Sequence, residues 1–473
     1  MKALAVTPNT RKVLIIAGAC VALTMLAYVV AHGTLRTFAM GLVVAIAIPC
    51  CYFAIERPLL FPFGLYAALV PMEDILSIGH VGTINKILGI LAFAALLFAL
   101  MRRGLLVKPS PGVIAWLALV VWMGLSGFWT VDFKEWQAAY VTFAENFLLY
   151  ALLSMVITTA AEIETLCTCI VIGGLVACAT ALWPFMHGFS EGGRLILPSA
   201  DPYHPADPNR FAAGLMLPLA ILFVATLGTR KMPALAANIG ALGLLVITIV
   251  LTGSRSAMIA VVIMFAYMVL RRGKRSGIYT LLGIGLIAAA PFATTWHTRW
   301  AIALSTGGAG RTDIWRVAWI AFKEHWLMGT GFGTFGTAFD SAVLRAPLAM
   351  YIGWHRAPHD MLIATGVQLG IMGLILTFLA WWFVFRDLAV PRLRGFLGDL
   401  KIALEATVIA LFIDAMFLDI TDTKYLWLLF FMIALVRSTL INNAVQEYRR
   451  RTACAAPSSL TPVPTSVPER LSA

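Results

Sequence analysis

The chain has 473 residues, 60% of them hydrophobic and only 12% charged, with a net charge of +12 and a mean hydropathy of +0.88. Soluble domains carry roughly 25% charged residues, so this composition excludes a water-soluble globular protein. The apolar stretches are too long and unbroken for a soluble core, and they point to an all-α polytopic integral membrane protein.

The first apolar run, 13–30, follows Arg11 and Lys12. No small-x-small cleavage site follows it and many more runs do, so it reads as an anchor rather than a cleaved leader. Further spans are expected over 37–55, 58–73, 86–101, 112–129, 138–157, 163–186, 211–228, 234–251, 256–270, 277–293, 361–385, 402–418 and 423–438. That gives about 12–14 transmembrane helices, because several runs fall short of the ~20 residues a perpendicular helix needs, 58–73 and 256–270 most of all.

Lysine and arginine set the expected orientation. Arg102-Arg103, Arg230-Lys231, the cluster Arg271-Arg272-Lys274-Arg275, and Arg386, Arg392 and Arg394 all fall on one side. The positive-inside rule makes that side the cytoplasm of an inner membrane, with both termini there. Cys20, Cys50, Cys51, Cys167, Cys169 and Cys178 lie within spans and Cys454 in the C-terminal tail. No outer loop holds a cysteine and the acidic residues there form no obvious cage, so neither a disulfide framework nor a metal site is expected.

Two segments on the outer, periplasmic side interrupt the helix-loop alternation: 187–210, rich in Pro, Asp and Gly, and 294–360. They divide the chain into N-terminal transmembrane helices (1–186), a core with the two loops (187–385), C-terminal transmembrane helices (386–441) and a cytoplasmic tail (442–473). The tail has Arg449-Arg450-Arg451 beside the membrane and then a Pro/Ser/Thr-rich stretch without apolar periodicity, which reads as disordered. In the long loop, 311–326 is amphipathic. Ile314, Trp315, Ala318, Trp319, Phe322 and Trp326 share one side, and Asp313, Arg316, Lys323 and Glu324 the other, as in a helix lying flat at the membrane surface. The following GTGFGTFG (329–336) follows no strand and reads as a flexible turn rather than a phosphate loop.

Against the charge asymmetry, Arg194, Arg210, Arg255, Arg311 and Arg316 lie outside, near span ends. Arg255 occupies a turn of a few residues between two apolar runs, so it must sit at or just below the interface and needs a partner there. One such arginine is explained by snorkelling. Several on one face suit an anionic ligand, since guanidinium forks clamp phosphate oxygens bidentately.

With these residues the chain resembles the bacterial family of O-antigen ligases and O-antigen or exopolysaccharide polymerases. Four stretches carry the resemblance, in the family's order: DPNRFAAGLMLPLA (207–220) with Arg194 upstream, TGSRSAMIA (252–260), GRTDIWRVAWIAFKEHWLMGTGFGTFG (310–336) and HDMLIATGVQLGIMG (359–373), whose glycine at 370 follows the histidine by eleven positions. Asp360 stands where the family usually has Asn, Ile363 where Leu is common, and Pro198 where a Leu is usual.

The resemblance implies a membrane glycosyltransferase that moves a glycan from undecaprenyl diphosphate to an acceptor hydroxyl on the periplasmic face. The acceptor would be lipid A-core for a ligase in lipopolysaccharide biosynthesis, another lipid-linked glycan for a polymerase, or a protein for an O-oligosaccharyltransferase. A glycan on a lipid diphosphate is already activated, so no cofactor and no metal is required, and no nucleic acid is involved. The diphosphate would be held by Arg255, Arg311, Arg194 and Arg316. His359, at the outer start of a span, would take the acceptor's proton. Asp207, Asp360 and His355 are possible auxiliaries, and His204 is a weaker one. The rival class is a lipid-linked oligosaccharide flippase or other transporter. It should show repeated halves and a polar midplane site, whereas the sequence has no internal repeat and few buried polar candidates, mainly Glu145-Asn146 and Asp414.

Overall fold

A computed structural model describes residues 50, 52–73, 75–78, 82–103, 107–191, 194–197, 206–272, 310–348, 352–389 and 395–455. The expected spans 13–30 and 277–293, most of 37–55, and His204 lie outside these residues. Within them the protein is a multi-pass, all-α membrane protein, with eight helices long and apolar enough to cross a bilayer.

The element order follows the sequence pattern closely. A short helix α1 (Phe63–Leu69) leads through the hairpin β1–β2 (Ser77–Ile78, Gly82–Thr83) to α2 (Ile84–Arg103), α3 (Pro111–Leu125), α4 (Phe133–Met155) and α5 (Ala160–Met186). A second hairpin, β3–β4 (Ser190–Glu191, Arg194–Leu195), precedes α6 (Pro208–Gly214), α7 (Met216–Gly228), α8 (Met232–Leu251) and α9 (Arg255–Arg272). Then come α10 (Arg311–Glu324), α11 (Phe335–Val343), α12 (Met361–Leu388), α13 (Phe396–Asp414) and α14 (Lys424–Ala455).

Helix starts are written in the local chemistry. Ser110 accepts from Val113 N and is followed by Pro111, which lacks the amide a first turn leaves unpaired. Asp132 accepts from the amides of Lys134 and Glu135. Thr159 and Glu162 form a reciprocal capping box. The run 58–73 does not form a full span: Pro58, Pro62 and Pro71 each remove a donor, leaving α1 and one 3-10 turn (Val70–Met72).

The core is aromatic where four helices meet. Trp116 of α3 lies 5.3 Å from Trp427 and 5.2 Å from Phe430 of α14, and Phe143 of α4 lies 5.0 Å from Trp427. Trp381 of α12 closes the cluster against Phe430 at 5.7 Å. Elsewhere α9 packs along α13, and α13 along α7. At its C-terminal end α14 runs past the expected limit at Ile441 to Ala455. The end of an apolar run is not the end of a helix: no Gly or Pro interrupts the chain until Pro457.

A second, smaller core joins α10, α11 and the start of α12. Ile314, Val317, Ala318 and Ala321 pack against Phe335, Ala338, Phe339 and Val367. The amphipathic helix is therefore present, but its buried stripe is set by α11 and α12, and Trp319 and Trp326 stay exposed. The glycine-rich stretch is a buried wedge rather than a loose turn. Thr330 N donates to Val367 O at 3.0 Å, Gly331 N to Gln368 O at 2.9 Å, and Phe332 N to Ser126 Oγ at 3.0 Å. Gly331 has φ 110°, and a Cβ there would stand 2.4 Å from Thr130 Oγ1. The wedge meets α12 where Gly370 breaks helical geometry (φ 64°, ψ −164°), and Ile371 N there donates to Trp326 O at 2.8 Å.

Candidate active site

The site is assembled from the starts of four helices, α6, α9, α10 and α12, with the end of α13 beneath them. Asp207 caps α6: its Oδ1 accepts from Asn209 N at 2.8 Å and from Asn209 Nδ2 at 2.9 Å. That fixes the Asn209 amide so that its oxygen accepts from an Arg194 NH2 at 3.3 Å, while Arg194 Nε donates to Thr252 O at 2.7 Å. Arg194 thereby ties the β3–β4 hairpin to the turn Thr252-Gly253-Ser254. Gly253 takes φ 66° and the Ser254 hydroxyl accepts from Ala257 N at 3.4 Å, so the chain reverses sharply from α8 and delivers Arg255 as the first residue of α9.

Arg311 is likewise the first residue of α10, after Gly310 with φ 81°. Burial, then the neighbouring Arg255 guanidinium, pull Arg311 below the usual arginine range, while Asp207 and Asp414 act in the opposite direction. The group remains cationic, since arginine is not deprotonated in proteins. Two guanidiniums close enough to repel, each at the positive end of a helix, form a local field that an anion relieves. Asp414, the last residue of α13, is fully buried. Ser256 and Arg311 face its carboxylate and favour its charge, while Asp207 opposes it.

His359 sits at the same place from the α12 side, in left-handed backbone (φ 51°). Its pKa is lowered from 6.5, first by burial and then by the Arg311 charge, with Arg210 and Arg356 adding to the effect and Asp207 opposing it. The imidazole is therefore neutral at neutral pH and able to accept a proton. Asp360 is turned away into the helix: Oδ1 accepts from Ile363 N at 2.9 Å, capping α12, and Met361 N is anchored to Ala415 O at 2.8 Å. The Asp in place of the usual Asn performs a capping role that either side chain can fill, and Asp360 is not among the groups that set the His359 pKa.

Of the residues singled out from the sequence, Arg194, Arg255, Arg311, Asp207 and His359 are brought together. Arg316 points away and pairs with Asp313 at 2.9 Å on the exposed face of α10. His355 is held on the far side of the small core by Glu135 (2.9 Å) and Asp340 (3.4 Å) and is exposed. Two further members were noticed in the sequence but not assigned to this site. Arg210, beside Asp422 at 3.6 Å, is near enough to shape the His359 pKa. Asp414 carried a signal that pointed elsewhere: an acid inside the apolar run LFIDAMF is costly without a role.

Residues 240–378 match the family model described as O-antigen ligase. The matched segment contains Arg255, Arg311 and His359, while Arg194, Asp207, Arg210 and Asp414 lie outside it. No curated protein matches the chain.

Proposed function

We propose, from the match of residues 240–378 to the O-antigen ligase family, that the chain transfers a glycan from undecaprenyl diphosphate to an acceptor hydroxyl at the periplasmic face of a bacterial inner membrane. The observation that carries this reading is a neutral His359 beside a pair of buried cations: the Arg311 charge acts on His359, and Arg255 acts on Arg311.

Each residue has a place in the reaction. Arg255 and Arg311, steadied by Arg194 on the adjacent turn, hold the donor diphosphate and stabilise the negative charge that grows on it as it leaves. The acceptor oxygen forms a bond to the anomeric carbon, the bond from that carbon to the phosphate oxygen breaks, and its electron pair leaves with the diphosphate. The acceptor's proton passes to the His359 ring. Asp207 positions Asn209 and, through it, Arg194. Asp414 faces Arg311 from below and keeps that guanidinium oriented towards the leaving group. Lipid A-core is the acceptor of first choice; a second lipid-linked glycan or a protein hydroxyl would use the same machinery.

The test is reconstitution of purified protein in liposomes with an undecaprenyl-diphosphate-linked glycan and lipid A-core. Acceptor-dependent release of undecaprenyl diphosphate, surviving EDTA, is the expected result. Movement of the lipid-linked glycan across the bilayer with no bond broken would contradict the proposal and favour a flippase. In cells, loss of the gene should leave bare lipid A-core with accumulated lipid-linked polymer; single repeats on lipid A-core would identify a polymerase instead.

A further inference from the structure

A cavity whose accessible lining is mostly apolar, with polar side chains at its floor, lies away from the arginine cluster, between α2 and α4. It has a volume of about 120 Å³ and is lined by Tyr66, Asn85, Lys86, Glu145, Asn146 and Lys424 among others. Its mouth is apolar: Ile90 and Leu148, 55% and 52% exposed, stand at the rim on the lipid-facing sides of their helices. Its floor is polar and unusually unsatisfied. Asn85 is fully buried, and neither its Nδ2 nor its Oδ1 has a hydrogen-bond partner among the described residues. The hydroxyl of Tyr66, 1% exposed, is in the same condition. Buried amides and phenols without partners are costly, and native proteins rarely keep them unless something fills the space.

The charges at the floor are already neutralised. Lys86 pairs with Glu145 at 3.4 Å, and Lys424 pairs with Glu73 and also donates to Thr83 Oγ1 at 2.8 Å. A phosphate entering here would meet carboxylates that hold both lysines. What the cavity leaves open is neutral capacity of both kinds, two amide donors, an amide acceptor and a phenol, which matches the hydroxyls of a sugar. Beyond the Glu73–Lys424 pair a second cavity, also about 120 Å³, is lined by Glu73, Thr142, Asp422 and Arg210, and Arg210 in turn acts on His359.

We infer that the cavity between α2 and α4 is a docking site for an uncharged sugar of a membrane-anchored glycan, entered sideways from the bilayer between Ile90 and Leu148. The assignment of that glycan as the acceptor rests on the transferase reading; the sugar-binding chemistry of the cavity does not.

The probe is an alkyl glucoside bearing a diazirine on the first methylene of its chain, photolysed with full-length protein in phosphatidylglycerol nanodiscs. Labelling should fall on peptides from 84–103 and 133–155 and should drop by roughly tenfold or more in Asn85→Leu, which removes two hydrogen-bonding groups. Leu148→Trp narrows the mouth from the lipid side without entering the core, so it gives the same loss even if Asn85→Leu folds poorly. Arg311→Ala should label as wild type. Equal labelling in wild type and Leu148→Trp, or equal labelling of this seam by an alkyl phosphocholine of the same chain, would overturn the inference and leave a cavity filled by water or lipid. Either result is read without turnover, so it stands apart from success or failure of the transfer assay.

Discussion

Arg255, Arg311 and His359 were legible in the sequence because each breaks a local rule: two arginines where the charge asymmetry forbids them, and a histidine opening an apolar span. Their grouping was not legible, since it depends on three helices that start far apart in the chain. The same reasoning grouped Arg316 with them, although it pairs with Asp313 on the exposed face of α10, and read Asp414 only as a buried polar candidate of a transporter, whereas α13 brings it to Arg311. Arg255→Ala and Arg311→Ala should each lower turnover by about 10²–10³-fold while inserting normally, the scale set by removing one preorganised donor. Lysine at either position should restore only part, because it keeps the charge and loses the fork. Full turnover in both alanine variants, at equal protein levels, would remove the diphosphate clamp. The His359 pKa also makes a signed statement about pH. A base works deprotonated, so activity is complete above its pKa and falls as pH drops through it. Because burial and Arg311 lower that pKa from 6.5, the acid limb of kcat/KM should lie below pH 6.5. A limb above that value, or one that rises towards acid, contradicts the assignment.

At the scale of elements, apolar runs located most of the long described helices, and the structure adds the caps Asp132, Thr159 and Asp360 at three of their starts. Two features needed tertiary contacts to be read. The stretch 329–336 is polar enough and glycine-rich enough to look mobile, yet its glycines serve close packing: the backbone of α12, Thr130 and Ala139 leave no room for a Cβ. Gly370 looks like one more glycine in an apolar helix, but it is the point where α12 bends to receive the wedge. A Cβ there would stand 2.3 Å from Leu327 O in addition to requiring left-handed backbone. Gly370→Ala should therefore cost at least about 1–3 kcal/mol, seen as a lower unfolding midpoint in detergent. Gly243→Ala, in the open on α8 with nothing within 4 Å, is the matched control and should not destabilise. An unchanged midpoint for Gly370→Ala would mean that the wedge and the kink are not coupled.

For the whole molecule, composition alone established the membrane class, and the order of four short stretches pointed to the family that residues 240–378 match. The orientation rests on where the basic residues fall, and it predicts which face is wet outside. In intact cells a cysteine at Trp354 should react with an impermeant maleimide, and one at Arg230 only after the inner membrane is opened; the reverse pattern would invert the topology and put the arginine cluster in the cytoplasm. Such a protein works as a transferase only if binding and chemistry are separable, with the diphosphate held by arginines and the proton taken by the histidine. The direct test is to measure donor affinity and turnover together in purified His359→Ala. The account predicts donor affinity within a few-fold of wild type and turnover lower by about 10²–10⁴-fold, the usual range for loss of a general base. Turnover near wild type, or a large loss of donor affinity that His359→Lys restores along with activity, would contradict it.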